Sequence, residues 1–467
     1  MVFTSHIFLF YFLPLALISY YALPVRYRNT FLTFASYLFY GWWMPWFVLL
    51  MITSTLVDYI CTTVISAKGA KQHHRVMALT ASIIVNLGLL GFFKYVMFAL
   101  ENLNRLRELL GFDAFGMLQF TLPIGISFYT FQTMSYTIDV YRRQAPPVQL
   151  FSDFACFVSL FPQLIAGPIV RYNTVAAQLQ SRDHTLRKFS TGTSLFILGF
   201  GKKILLANPM GEVADAAFNV DGLLTIDAWF GIVAYAFQIY FDFSGYSDMA
   251  IGLGRMLGFE FPRNFNAPYL ANSITDFWRR WHISLSTFLR DYLYIPLGGN
   301  RKGTWQTYRN LTVVMFLGGL WHGANWMFVI WGIYHGILLC LERSLGRRSI
   351  YHNMPLSLRV VATFVLILFS WVLFRSTSID QAYHYLLTLL GVGHVRESSM
   401  LITTELYTPL HLLVMAICIG LTVQSVQSYD WVTRLSWHKV SLLLLVFLFS
   451  IAEMFLQTFN PFLYFQF

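Results

Sequence analysis

The sequence predicts an all-α protein that crosses a membrane many times, and three observations predict it. Of 467 residues, 57% are hydrophobic and only 12% charged, whereas soluble domains carry about a quarter charged residues. Apolar runs recur along the whole chain and end at basic residues, as residues 7–23 do at Arg26 and Arg28. The net charge of +10 lies in the loops between them, as the positive-inside bias of membrane proteins requires, which makes nucleic-acid binding a poor explanation. At about 20 residues per crossing the runs amount to roughly ten to twelve segments. No linker or repeat divides them, so residues 1–467 read as one integral membrane domain.

The elements follow in order. Residues 7–23 lack a basic start and a small-residue cleavage site, so they read as a retained span and not a signal peptide. The runs at 30–43 and 46–66 form a hairpin that ends at Lys68, Lys71 and Arg75, and both flanking basic loops fall on the cytoplasmic face. Residues 77–100 cross outward, and the chain returns to a basic end at Arg142 and Arg143. Residues 151–170 are apolar but broken by Pro162 and Gly167-Pro168, with basic residues on both sides. Same-sign flanks with internal helix breakers predict a re-entrant segment beside a cavity.

Residues 190–207 cross outward to a loop holding Glu212, Asp215, Asp221 and Asp227 without a lysine or arginine. The return run, 229–253, carries Asp242 and Asp248 within FDFSGYSDMAIG. These carboxylates either satisfy their polar neighbours or orient a catalytic base. Residues 255–309 are the most polar stretch, and helical spacing gathers Phe277, Trp281, Ser284, Phe288 and Tyr292 on one face, predicting an interfacial helix. Arg279, Arg280, Arg290, Arg301 and Lys302 cluster there and suit a phosphate-rich or acidic partner at the cytoplasmic face. The last spans, near 360–373, 410–426 and 440–456, read as ordinary bundle, and the single cysteines 61, 156, 340 and 418 as core fillers, with no disulfide framework or metal site.

The stretch LTVVMFLGGLWHGANWMFVIWGIYHG, residues 311–336, holds His322 in its oiliest part, with glycines, Trp321, Asn325 and Trp326 around it. An ionisable group inside a membrane costs free energy and is a functional candidate by default. Arg301, Lys302 and Arg309 precede the stretch and Arg343, Arg347 and Arg348 follow it, so the chain enters from the cytoplasm and comes back. About a dozen residues of helix put His322 roughly 15 to 20 Å in, near the bilayer middle. A neutral imidazole there can take the proton of a hydroxyl that attacks an acyl group. No Gly-x-Ser-x-Gly, Walker or HExxH sequence accompanies it. A histidine-based transfer and a transporter with a histidine proton relay both remain open, although no internal symmetry of the transporter kind is evident.

Several long motifs stand in order: LPIGISFYTFQTMSY at 122–136, FPQLIAGPIVRY at 161–172, YFDFSGYSDMAIGLG at 240–254, FWRRWHISLSTFLRDYLYIPLGGNRKG at 277–303 and GGLWHGANW at 318–326. Together they resemble the membrane-bound O-acyltransferase family, in the bacterial branch that O-acetylates exopolysaccharides, with the motif-bearing core at about residues 120–345. The resemblance implies a ring of about 11 transmembrane helices, with re-entrant and interfacial helices around a central funnel. It makes His322 the catalytic histidine and His282 the second histidine of the site. Arg279, Arg280, Arg290, Asp242, Asp248, Asn325 and Trp321 become candidates for substrate or donor binding. It further implies a multi-pass protein of the bacterial inner membrane, with no bound cofactor or metal. Acetyl-CoA would be the cytoplasmic donor, and periplasmic partner proteins would acetylate alginate or cellulose. The alternatives are D-alanyl or other acyl transfer from a carrier protein to a cell-wall polymer, and a non-enzymatic acyl-group channel.

Overall fold

A computed structural model describes residues 1–116, 120–220, 222–346, 353–393 and 404–457, and the regular structure among them is all helical. Asp221, Arg347 and Arg348 lie outside the described residues. The sequence reading takes the chain as one domain. The fold has two compact units, residues 1–193 with 250–262, and residues 194–249 with 263–467. Two of the boundaries fall inside helices, so no linker marks them in the sequence.

The first unit comprises α1 (Phe8–Ala22), α2 (Arg28–Gly41), α3 (Trp46–Ser66), α4 (Gln72–Leu109), α5 (Ile126–Tyr141), α6 (Phe151–Ser159), α7 (Phe161–Leu164) and α8 (Tyr172–Gln180). It also includes the start of α9 (Leu186–Gly201). The broken apolar stretch behaves as its prolines and glycines demand. Helix α6 stops at Leu160, Pro162 opens a new short helix, and residues 154–170 are buried throughout. The backbone that this break frees is taken up by side chains: Ser36 Oγ accepts from Phe161 N at 3.0 Å. Gln132 and Gln163 both donate to the Phe157 carbonyl at 2.7 Å. Irregular backbone in an apolar setting persists only where protein supplies such partners.

The second unit holds the rest of α9, α10 (Asn208–Phe218), most of α11 (Thr225–Met256), α12 (Ile274–Arg280), α13 (Ile283–Leu289), α14 (Thr304–His322) and α15 (Trp326–Leu345). The helices α16 (Leu356–Arg375), α17 (Ile379–Leu389), α18 (Pro409–Thr422), α19 (Ser428–Trp431) and α20 (Trp437–Leu456) complete it. Helices α9 and α11 meet backbone to backbone. A methyl group at Gly199 would stand 2.4 Å from the Gly245 carbonyl oxygen, and one at Gly245 would stand 2.7 Å from that of Gly199. This close crossing brings the two lysines that follow α9 onto the carboxylates of α11: Lys202 pairs with Asp248 and Lys203 with Asp242, each at 2.7 Å.

Five helices among the described residues are long and apolar enough to cross a membrane: α3, α4, α15, α16 and α20. Residues 8–22 and 409–422 form shorter apolar helices. Other apolar runs lie in shorter or broken helices: α2 spans 14 residues and α5 16, and the 151–170 run is split in two.

The interfacial helix differs from the single helix that its spacing predicts. Residues 274–289 are not one helix, because the chain breaks at Trp281 and His282, and His282 adopts the left-handed conformation with φ of 43°. The preceding loop pries the helix open. Asn266 N donates to the Arg280 carbonyl at 3.0 Å and Ile283 N to the Asn264 carbonyl at 2.9 Å. Phe277, Trp281, Ser284 and Phe288 are nonetheless all buried, as their shared face predicts.

Candidate active site

The site is built on the hairpin of α14 and α15, whose turn is Gly323 to Asn325. The helices enter and return as the basic flanks require, packed so closely that a methyl at Gly319 would lie 2.2 Å from the Phe328 carbonyl oxygen and one at Gly332 would lie 2.4 Å from that of Met315. His322 is the last residue of α14. That helix begins at Thr304, before the apolar run, so His322 stands about 27 Å along its axis from the first residue. Asn325 caps α15 by accepting from Met327 N at 2.9 Å, which gives it a structural task in the turn of the cavity-bearing hairpin.

Aromatic rings enclose His322. Trp321, Trp331 and Phe374 present themselves edge-on, with centroids at 5.0, 5.1 and 5.3 Å. On the remaining side the ring borders a cavity of about 250 Å³ walled by Leu285, Leu289, Val314, Met315, Gly318 and Trp331. Arg290 carries the one permanent charge among its lining residues. Such a space favours a small apolar group, since a charged one would lose its hydration without compensation.

His282 is brought to the same place from the other motif. Its ring lies 5.9 Å from Trp321, which therefore stands beside both histidines, and Phe243 covers it at 4.7 Å. The Asn264 side-chain oxygen accepts from Ser284 N at 3.2 Å and Ser284 Oγ at 2.9 Å, and it faces His282 Nδ1 at 3.2 Å. An oxygen that accepts from a backbone N–H can only accept from the ring, so Nδ1 carries the proton. Burial pushes the His282 pKa down to about 3, leaving a neutral imidazole with its basic nitrogen at Nε2.

The other predicted residues divide. Arg290 lines the cavity and is paired with Asp291 at 2.6 Å. Arg280 is held by Asp276 at 2.9 Å, and Arg279 is exposed. The structure thus brings one of the three arginines to the cavity. Asp242 and Asp248 are tied to Lys203 and Lys202, which favours the structural reading of both. Sequence reasoning passed over His335, Trp278 and Trp331. Trp278 Nε1 donates to Nδ1 of the fully buried His335 at 3.3 Å, and His335 packs on Trp331 at 4.9 Å. His335 thereby holds two indoles that wall the cavity. The signal was available, because His335 lies one turn beyond Trp331 on the same helix. The Trp331 indole N–H is buried without an acceptor among the described residues.

Comparison with known proteins identifies the family. The model of MBOAT, the membrane-bound O-acyltransferase family, matches residues 76–379 and so includes both histidines and the whole cavity. The chain belongs to the membrane-bound O-acyltransferase family. It is therefore an O-acyltransferase and a multi-pass membrane protein. Relatives extend the match. The probable alginate O-acetylase of Azotobacter vinelandii is 49% identical over 393 residues, which cover 84% of this chain and 79% of that protein. Its counterpart in Pseudomonas putida is 44% identical over the full length of both chains. The peptidoglycan O-acetyltransferase of Helicobacter pylori is 35% identical over all of this chain and 98% of its own. For an O-acyltransferase a histidine beside an apolar cavity has a direct use, since acyl transfer to a hydroxyl needs a base at the hydroxyl and a dry place for the acyl group.

Proposed function

We propose that this O-acyltransferase moves an acetyl group from acetyl-CoA on the cytoplasmic side to a polysaccharide outside the inner membrane, with periplasmic partner proteins completing delivery. The observation that carries the reading is His322 beside the cavity of about 250 Å³ whose walls are apolar. The acceptor oxygen forms a bond to the thioester carbonyl carbon and the carbon–sulfur bond breaks. His322 takes the hydroxyl proton and returns it to the leaving thiolate, so the products are an acetyl ester and free CoA. Where the imidazole itself attacks first, the acetyl group rests on its nitrogen before reaching the acceptor. His282 and Trp321 set the position of His322, and Arg290 pairs with the donor's phosphates. The ring of about eleven helices around a funnel belongs to the same proposal.

The walls favour acetyl over D-alanyl, whose ammonium group would lie among leucines, valine and methionine with no carboxylate lining the cavity. The relatives' names support a carbohydrate polymer as acceptor: alginate in two of them and peptidoglycan in the third. Purified protein in nanodiscs, given acetyl-labelled acetyl-CoA and soluble fragments of alginate, cellulose or peptidoglycan with the neighbouring periplasmic proteins, tests the reading. Label in one polymer together with free CoA thiol is the expected result. Transfer only from a D-alanyl carrier protein would replace the donor, and movement of acetyl-CoA without thiol release would make the protein a channel.

A further inference from the structure

The first unit has a second cavity with a different chemistry. It measures about 670 Å³ and is lined by twelve residues drawn from 65–75 and 140–147, including Arg75, Arg143, Gln144, Ala70 and Gly69. Helix α3 ends at Ser66, α4 begins at Gln72 and α5 ends at Tyr141, so the cavity sits where three helices terminate together. Because α3 and α4 are long and apolar enough to cross a membrane, their shared end marks the level of the lipid headgroups.

Two arginines and no carboxylate line this cavity. Arg75 is fastened in place: one of its terminal nitrogens donates to the Tyr141 carbonyl at 3.0 Å, and the guanidinium lies 5.3 Å from the Tyr141 ring. Its Nε is buried with no acceptor among the described residues. Arg143 follows the end of α5 in the left-handed conformation, φ 60°, at a helix end where glycine is the usual residue. A non-glycine residue there bears a backbone cost, and here it adds a second arginine to the lining of the same cavity. A prepared cation, a second one kept despite strain, and small walls of alanine, glycine and proline are the requirements of an oxyanion site.

We propose that this cavity binds a phosphate group, and that its occupant is the headgroup of an anionic phospholipid, the phosphate that this level of the membrane supplies in quantity. The site is independent of the reaction at His322.

The test uses the full-length protein, stripped of lipid in detergent. It is titrated with phosphatidylglycerol, with phosphatidylcholine, and separately with inorganic phosphate, reading bound ligand by native mass spectrometry and Tm by thermal unfolding. Wild type should prefer phosphatidylglycerol, and each arginine lost should weaken that binding about fivefold. Arg143→Gly is the informative variant: glycine suits the left-handed conformation, so Tm without lipid should hold or rise while binding falls. Arg75→Gln should weaken binding likewise, and Ala70→Trp should block it by filling the cavity with both arginines intact. Inorganic phosphate that binds with the same dependence on these variants, and displaces the lipid at millimolar concentration, would overturn the lipid occupant in favour of a soluble phosphate. Phosphatidylglycerol binding equal in wild type and all three variants would overturn the site.

Discussion

Asp58 in α3 and His322 at the end of α14 are both ionisable, both buried and both set in apolar helices, yet their surroundings are opposite. Asp58 is closed in by donors. Ser82 Oγ donates to it, and Asn86 Nδ2 contacts its two oxygens at 3.0 and 2.8 Å. Asn86 in turn accepts from Ser54 Oγ at 2.8 Å and Thr133 Oγ1 at 3.2 Å, so the network knits α3, α4 and α5 together. His322 instead meets the edges of aromatic rings and a cavity. Burial of a polar group is thus no sign of chemistry by itself. A group ringed by partners holds helices together, whereas one beside an apolar space is placed to meet a ligand.

Substitutions at five positions sharpen or break this contrast, in decreasing order of effect. His282→Ala should slow acyl transfer about 100-fold, with His282→Asn recovering part of the loss, since asparagine tolerates the left-handed backbone and retains a donor for Asn264. Loss that Asn does not lessen would assign His282 to chemistry and not to positioning. On the other side of the comparison, Asp58→Ala strands Asn86 and Ser82 and should cost about 2 kcal/mol of stability, while transfer per folded molecule stays within about twofold. A larger fall in rate at equal folded fraction would give Asp58 a part in the reaction.

Trp331→Phe keeps an aromatic wall but removes the indole's five-membered ring and with it the buried N–H. If that group meets the acyl carbonyl, kcat should drop about tenfold with KM unmoved; an unchanged kcat would leave Trp331 as wall alone. Arg290→Gln should raise the donor KM about fivefold, and more steeply at low salt than at high. Arg279→Gln, exposed in the structure, should change it less. Equal effects from both would point to the whole basic face and not to Arg290.

Much of this was legible in the sequence because it is local. His322, its glycines and the basic residues that turn the chain back lie within a few dozen residues, and they announce a hairpin with a histidine at its tip. The break in 151–170 was equally visible, since proline and glycine impose it wherever they stand. The remainder depends on segments far apart. The helix break at His282 is set by Asn264 and Asn266. The lysine partners of Asp242 and Asp248 become visible only once Gly199 and Gly245 let α9 and α11 touch. Asp58, Lys94 and His335 were passed over inside apolar runs, where burial in the fold makes them stand out. The start of the His322 helix was hidden because polar residues such as Gln306, Thr307 and Tyr308 continue it without adding to its apolar run.

The central claim is that His322 and its cavity perform the transfer. The most direct test follows CoA thiol release from acetyl-CoA by wild type and His322→Ala, alongside Tm and label retained on the protein. The account predicts a variant that unfolds at nearly the wild-type temperature and releases thiol about 1,000-fold more slowly. Thiol release at the wild-type rate from the folded variant would contradict it and send the search for the reacting group elsewhere in the chain.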